Sequence, residues 1–185
     1  FINRKLKDAG LKPLPLADRR TRIRRLAFDL TGLPPTPAEI DACLADESDQ
    51  AWNKLVNRLL DSPHYGEHWG KHWLDVVRFA ESAGYEFDNF RPGAYHYRDW
   101  VIKALNDDMP YDEFVRLQIA GDEVPGPAAD YVTRLAGLGF QSLGPQFRKG
   151  AAGEAKAKAD ELEDRVDTLS RGILGLTVSC ARCHD

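Results

Sequence analysis

Ser62-Pro63-His64-Tyr65-Gly66-Glu67-His68-Trp69-Gly70-Lys71-His72-Trp73-Leu74-Asp75-Val76-Val77-Arg78-Phe79 is the stretch on which the fold reading turns. Serine followed by proline is a helix start: the hydroxyl can cap, and the proline ring is already set at the first helical φ. Trp69, Trp73 and Val76 then recur at helical steps. The spacing predicts one helix from Pro63 to about Ala83, with Trp69, Trp73 and Val76 packed in the core.

Outward from this helix the pattern stays helical. Upstream, Asp18 to Leu30 carries Ile23, Leu26, Phe28 and Leu30 on a basic background and stops at Gly32. Thr36-Pro37-Ala38-Glu39 reads as a capping box, and Ile40, Cys43 and Leu44 share a face of the short helix behind it. Ser48 is the expected cap of the next helix, in which Trp52, Leu55, Val56, Leu59 and Leu60 recur. Downstream, residues 84–93 are polar, aromatic and irregular, a candidate functional loop. Tyr95 to Leu105, and Tyr111 to Ala120 after Pro110, read as further helices, and Tyr131 to Leu143 after the Gly126-Pro127 turn reads as a helix or short apolar segment. Residues 146–167 are rich in Ala, Lys and Glu, a polar solvated helix or variable insertion. No alternating β pattern of useful length and no repeat is present. The expected fold class is all-α, an irregular multi-helix array with little or no β-sheet, forming a single helical domain over 1–185 with residues 1–17 as an N-terminal extension.

Composition limits the function classes. Charged residues make up 29% and hydrophobic residues 43% of the 185 positions, which argues against wholesale disorder. A net charge of -4 leaves no basic footprint for nucleic acid. No run approaches ~18 consecutive apolar residues, so no membrane span is expected. The first residue is Phe1 rather than Met, which suggests an excerpt of a longer product.

The sharpest chemical signal is Cys180-Ala181-Arg182-Cys183-His184. C-x-x-C-H is the pattern of c-type haem attachment. Two thiols three residues apart on one turn can add to the two vinyl groups of one haem, and the adjacent imidazole can reach the iron as proximal ligand. The expected cofactor is therefore covalent haem c, held by Cys180, Cys183 and His184. A structural zinc site would need a second ligand pair, and a thioredoxin-like motif would need a βαβ setting. The bland alternative is two inert cysteines. Cys43, the third cysteine, reads as a small buried hydrophobe.

His64, His68 and His72 fall four residues apart, and each such step drifts only ~40° around a helix. The stripe could ligate a transition metal, and His72 or His68 could be a distal haem ligand. The plainer reading is that these histidines border the core. Met109 could ligate iron axially, but packing suits it better. Glu81, Glu86 and Asp88 gather oxygen ligands around residues 81–91. They could bind a hard cation or act as paired carboxylates, although no EF-hand spacing is present. Ion pairs and turn caps with Arg78, Arg91 and Arg98 are the simpler expectation, and Asp122-Glu123 reads the same way. No G-x-S-x-G, P-loop or H-E-x-x-H motif occurs.

Several ordered segments carry a family resemblance: Phe28-Asp-Leu-Thr-Gly-Leu-Pro-Pro-Thr-Pro37, Ser62-Pro-His-Tyr-Gly66, His72-Trp-Leu-Asp75, Tyr97-Arg-Asp-Trp-Val-Ile102, Asp108-Met-Pro-Tyr-Asp112, Gln118-Ile-Ala-Gly-Asp122 and Gly175-Leu-Thr-Val178 with the cysteine motif. With them the chain resembles the planctomycete cytochrome-c-associated domain of unknown function, from about Arg19 to Asp185. The resemblance implies a large exported multidomain protein with a cytochrome-like neighbour. It matches Cys180, Cys183 and His184 to the family's C-x-x-C-H, and His64 and His72 to family positions. His68 departs, because Arg is commoner there, which weakens a three-histidine metal site.

The expected function is a haem c-binding module for electron transfer, periplasmic or at the cell surface because haem c is attached outside the cytoplasm. Its partner would be a redox protein or a neighbouring cytochrome-like domain of the same chain. The alternatives are a hydrolase acting on carbohydrate through residues 81–91 with His72 or His96, or a binding or scaffold domain whose cysteines are structural and close a short disulfide when haem is absent.

Overall fold

Capping chemistry sets the helix boundaries in the computed structural model, which describes residues 1–84, 88–147 and 153–183. The chain divides into two compact units, Phe1–Leu59 and Leu60–Asp185.

In the first unit, α1 (Ile2–Asp8) buries none of its residues. Asp18 caps α2 (Arg19–Thr31), its carboxylate accepting from the Thr21 amide at 2.9 Å. Gly32 ends that helix at φ 70°, a conformation open to glycine. The expected capping box opens α3 (Pro37–Ala45). The Thr36 hydroxyl accepts from the Glu39 amide at 3.2 Å, and the Glu39 carboxylate accepts from the Thr36 amide at 2.8 Å. Ser48 does not take the role expected of it. α4 (Ala51–Leu60) starts three residues later, and the Ser48 hydroxyl accepts from Lys54 Nζ at 3.2 Å. Ile23, Ala27, Leu55 and Leu59 form the core, with Ile40, Cys43 and Leu44 against it.

The second unit holds α5 (Pro63–Val76), α6 (Tyr95–Asn106), α7 (Tyr111–Ala120), α8 (Tyr131–Gly137), α9 (Gly139–Ser142) and α10 (Gly153–Leu169). α5 ends seven residues before the expected Ala83. Arg78 turns left-handed at φ 57°, the Phe79 amide donates to Leu74 O at 2.9 Å, and the Arg78 amide donates to Asp75 O at 3.1 Å. This is the paired closure of a Schellman motif, built here on arginine instead of glycine. The segment 131–143, expected as a helix or short apolar stretch, forms two helices that break at Leu138, next to Gly139, where a Cβ would lie 2.5 Å from the Tyr97 side chain. α10 buries Ala157 and Thr168, and a π-helical turn, Ser170–Leu174, extends it.

α5 and α6 approach closely because α5 offers glycine. A Cβ on Gly66 would lie 2.4 Å from Ile102 O, whereas one on Gly70 would lie 3.3 Å from the Ile102 side chain. Asn106, the last residue of α6, accepts from the Gly66 amide at 2.7 Å and donates to Pro63 O at 3.1 Å. One of the first four amides of α5, left without an intrahelical acceptor, is thereby satisfied. Behind the pair lie Val77, Tyr97, Trp100, Val101, Ala104, Phe114, Leu117 and Phe140, the main core. The fold is an irregular all-α array. Among the described residues there is no strand, only an isolated antiparallel bridge between Ser82 and Phe90. Among the same residues no helix is long and apolar enough to cross a membrane.

Candidate functional site

Cys180 lies in a 3₁₀ turn, Ser179–Arg182, and Cys183 is the residue that caps its C-terminal end. The Cys183 amide donates to Cys180 O at 3.2 Å. With about three residues per turn, side chains at i and i+3 of such a turn lie one above the other. Both cysteines are exposed, and both thiols are free. The turn is fastened to α10 by Arg182, one of the two residues between the cysteines. The Arg182 guanidinium donates to Asp160 at 2.5 Å and also to Glu163. Its hydrogen bond to Asp160 and the charge of Glu163 raise its proton affinity above the ordinary guanidinium value. Lys156 and then Arg182 hold Asp160 below the usual carboxylate range.

A groove of about 330 Å³ runs between this turn and α10. Leu162 and Val166 of α10 form one apolar side, and Val178 and Ala181 form the other. Leu162 and Val166 stay 49% and 54% exposed, so this apolar strip lies partly uncovered, and neither Cys180 nor Cys183 lines it. His184 lies outside the described residues.

The histidine stripe runs along α5. His64 Nδ1 is 2.7 Å from a Glu67 carboxylate oxygen. The His68 and His72 rings meet edge-on at 5.8 Å, and Trp69 packs 5.5 Å from His72. Among the described residues no group of three or more His, Cys, Asp or Glu side chains is gathered as a metal ion would require.

Two residues expected in the core stand elsewhere. Trp69 and Val76 are 42% and 44% exposed. They line a cleft of about 370 Å³ where α5 meets the end of α6 and the start of α7, together with Tyr65, His72, Trp73, Leu105, Asp108, Met109, Tyr111 and Phe114. Trp73 does reach the core, where its indole N–H donates to Gln118 Oε1 at 2.8 Å and to the Tyr97 hydroxyl at 3.1 Å. Met109 packs against the same core, the role preferred for it. Helical periodicity placed these side chains on one face. It did not reveal that Asp108, at φ 50°, turns the chain out of α6 and leaves that face partly uncovered.

The acidic segment divides among ordinary partners. Glu81 pairs with Arg98 at 2.9 Å, as the ion-pair reading required. Arg91 instead donates to the Leu143 and Gly144 carbonyls at 2.8 and 2.7 Å, and Arg78 pairs with Asp164 of α10. Asp88 and His96 are exposed, and Glu86 lies outside the described residues.

These observations define an all-α domain that presents a dicysteine turn on a helix and, separately, an aromatic cleft. The chain belongs to PSCyt2, the family described as "Protein of unknown function (DUF1549)", whose model matches residues 1–185. No curated protein and no solved structure matches it.

Proposed function

We propose that the chain is a haem c-binding module that works in electron transfer, in an exported protein, beside a redox partner or a cytochrome-like domain of its own chain. The observation that carries this reading is the presentation of Cys180 and Cys183 as two free, exposed thiols on one turn. The donor set fits the group. Thiols at i and i+3 of a 3₁₀ turn point the same way, as attachment to a single porphyrin edge demands.

In this reading Cys180 and Cys183 would hold the haem through thioethers, and His184 would be the imidazole ligand to its iron that the motif assigns. Arg182, held by Asp160 and Glu163, keeps the turn on α10 and so orients both sulfurs. A bound haem supplies one-electron redox chemistry.

The test is to export the chain in a host with haem-attachment machinery and record a pyridine haemochrome spectrum on denatured protein. The reading requires about one covalent haem per chain, lost in Cys180→Ala/Cys183→Ala. Export in good yield with no covalent haem would remove it.

A further inference from the structure

The cleft bordered by α5, α6 and α7 plays no part in the haem reading. Its walls are aromatic: Tyr65, Trp69, Trp73, Tyr111 and Phe114. The rings are set at angles to one another, with Tyr65 to Trp69 at 41° and Trp73 to Phe114 at 65°, so the walls do not stack shut. The Trp73 N–H is already engaged in the core. Trp73 therefore offers the cleft hydrocarbon and π surface, not a donor.

The ionisable side chains of opposite type on this lining are the Asp108 carboxylate and the His72 imidazole. No lysine or arginine lines the cleft, and the one carboxylate is Asp108. Asp108 is exposed and forms neither an ion pair nor a side-chain hydrogen bond among the described residues. Its neighbour Asp107 is neutralised by Lys103 at 2.5 Å. Asp108 also sits at the C-terminus of α6, where the helix dipole is already negative and an acidic side chain is disfavoured. A residue at φ 50° there would ordinarily be glycine. An unpaired carboxylate at a position the helix dipole disfavours, opening onto aromatic faces, has the chemistry of an ammonium receptor.

We propose that this cleft binds an organic monocation of the methylated ammonium class, with the aromatic faces, Trp69 foremost, meeting its methyl groups and Asp108 meeting its charge. A hydroxyl-rich ligand fits less well, because the lining has few donors and acceptors to satisfy it. A cleft of about 370 Å³ is the size of a small-ligand site.

The experiment uses the whole chain and follows the tryptophan indole N–H signals by NMR during titration. The probes are choline and its neutral carbon isostere, in which a tert-butyl group replaces trimethylammonium. Choline is expected to shift the Trp69 and Trp73 signals saturably and leave that of Trp52, in the other unit, in place. The isostere, equal in shape, is expected to bind about tenfold more weakly. Asp108→Asn retains tolerance of positive φ and is expected to weaken choline about tenfold while leaving the isostere unchanged. Trp69→Ala, at a half-exposed position, is expected to abolish saturation with the circular dichroism spectrum preserved. Phosphatidylcholine vesicles, tested by co-sedimentation, separate the two sources. Pelleting that requires Asp108 assigns a lipid headgroup, and choline binding without pelleting assigns a free cation. Equal affinity for choline and its isostere, indifference to Asp108→Asn, or no saturable shift would each overturn the proposal.

Discussion

Gln118 is 0% exposed and uses both ends of its amide. Its Oε1 accepts from the Tyr97 hydroxyl at 2.6 Å and from the Trp73 indole at 2.8 Å, while Nε2 donates to Phe114 O at 3.0 Å. A buried polar group is tolerated when it is satisfied, and losing the acceptor strands the Tyr97 hydroxyl and leaves the Trp73 indole only its 3.1 Å bond to that hydroxyl. Gln118→Ala is therefore expected to cost about 2–4 kcal/mol in urea unfolding, more than its exposed neighbour Ile119→Ala. The same network gives a pH signature. Burial pushes the Tyr97 phenol well above its ordinary value. An unfolded tyrosine ionises near ~10, whereas the folded one stays protonated. The stabilisation is thus whole below that pH and is lost as pH rises toward the folded value. Melting curves from neutral to strongly alkaline pH should fall more steeply for the wild type than for Tyr97→Phe.

At the scale of elements, the α5–α6 contact depends on where the glycines lie. Gly66 meets backbone at 2.4 Å, which cannot move without separating the helices, while Gly70 meets a side-chain methylene at 3.3 Å. Gly66→Ala should destabilise by about 1–3 kcal/mol through overpacking. Gly70→Ala should cost less or stabilise, because alanine is the better helix former by about 1 kcal/mol. Paired thermal melts check the order, and equal losses would mean that the approach at Gly66 is not what sets the helix spacing. Both helices end on left-handed non-glycine residues, Arg78 and Asp108. The end of α2, at Gly32, could be read in advance. The end of α5 could not, because nothing in Val77-Arg78-Phe79 announces a turn.

For the molecule as a whole, contacts made across long stretches of chain carry the architecture. Arg78, just past α5, pairs with Asp164 of α10 across 86 residues. Arg91 grips the carbonyls of Leu143 and Gly144. Among the described residues Arg78 Nε is buried and unpartnered; Asp164 pairs with its guanidinium and the charge of Asp167 adds to the compensation. Asp164→Ala is expected to cost about 2 kcal/mol, since a partly buried cation loses its direct partner and keeps only the charge of Asp167. It should also speed amide exchange along α10, which carries the cysteine turn. Exchange unchanged along α10 would mean that apolar packing alone seats the helix.

The sequence by itself determined the all-α class, the capping box at Thr36, the starts of α5 and α7, and the cysteine motif. Each is written in neighbouring residues, as caps and periodicity act over one or two turns. The ion pair of Glu81 with Arg98 was also within reach, because complementary charges flank one irregular segment. Only the tertiary structure decided that α5 stops at Val76, that Trp69 and Val76 line a cleft instead of the core, and that Arg182 binds α10. A helical face says which side chains travel together, but whether that face is covered depends on a second helix far away in the chain. Here α6 and α7 cover Trp73 and leave Trp69 open, because the chain leaves α6 through the left-handed turn at Asp108.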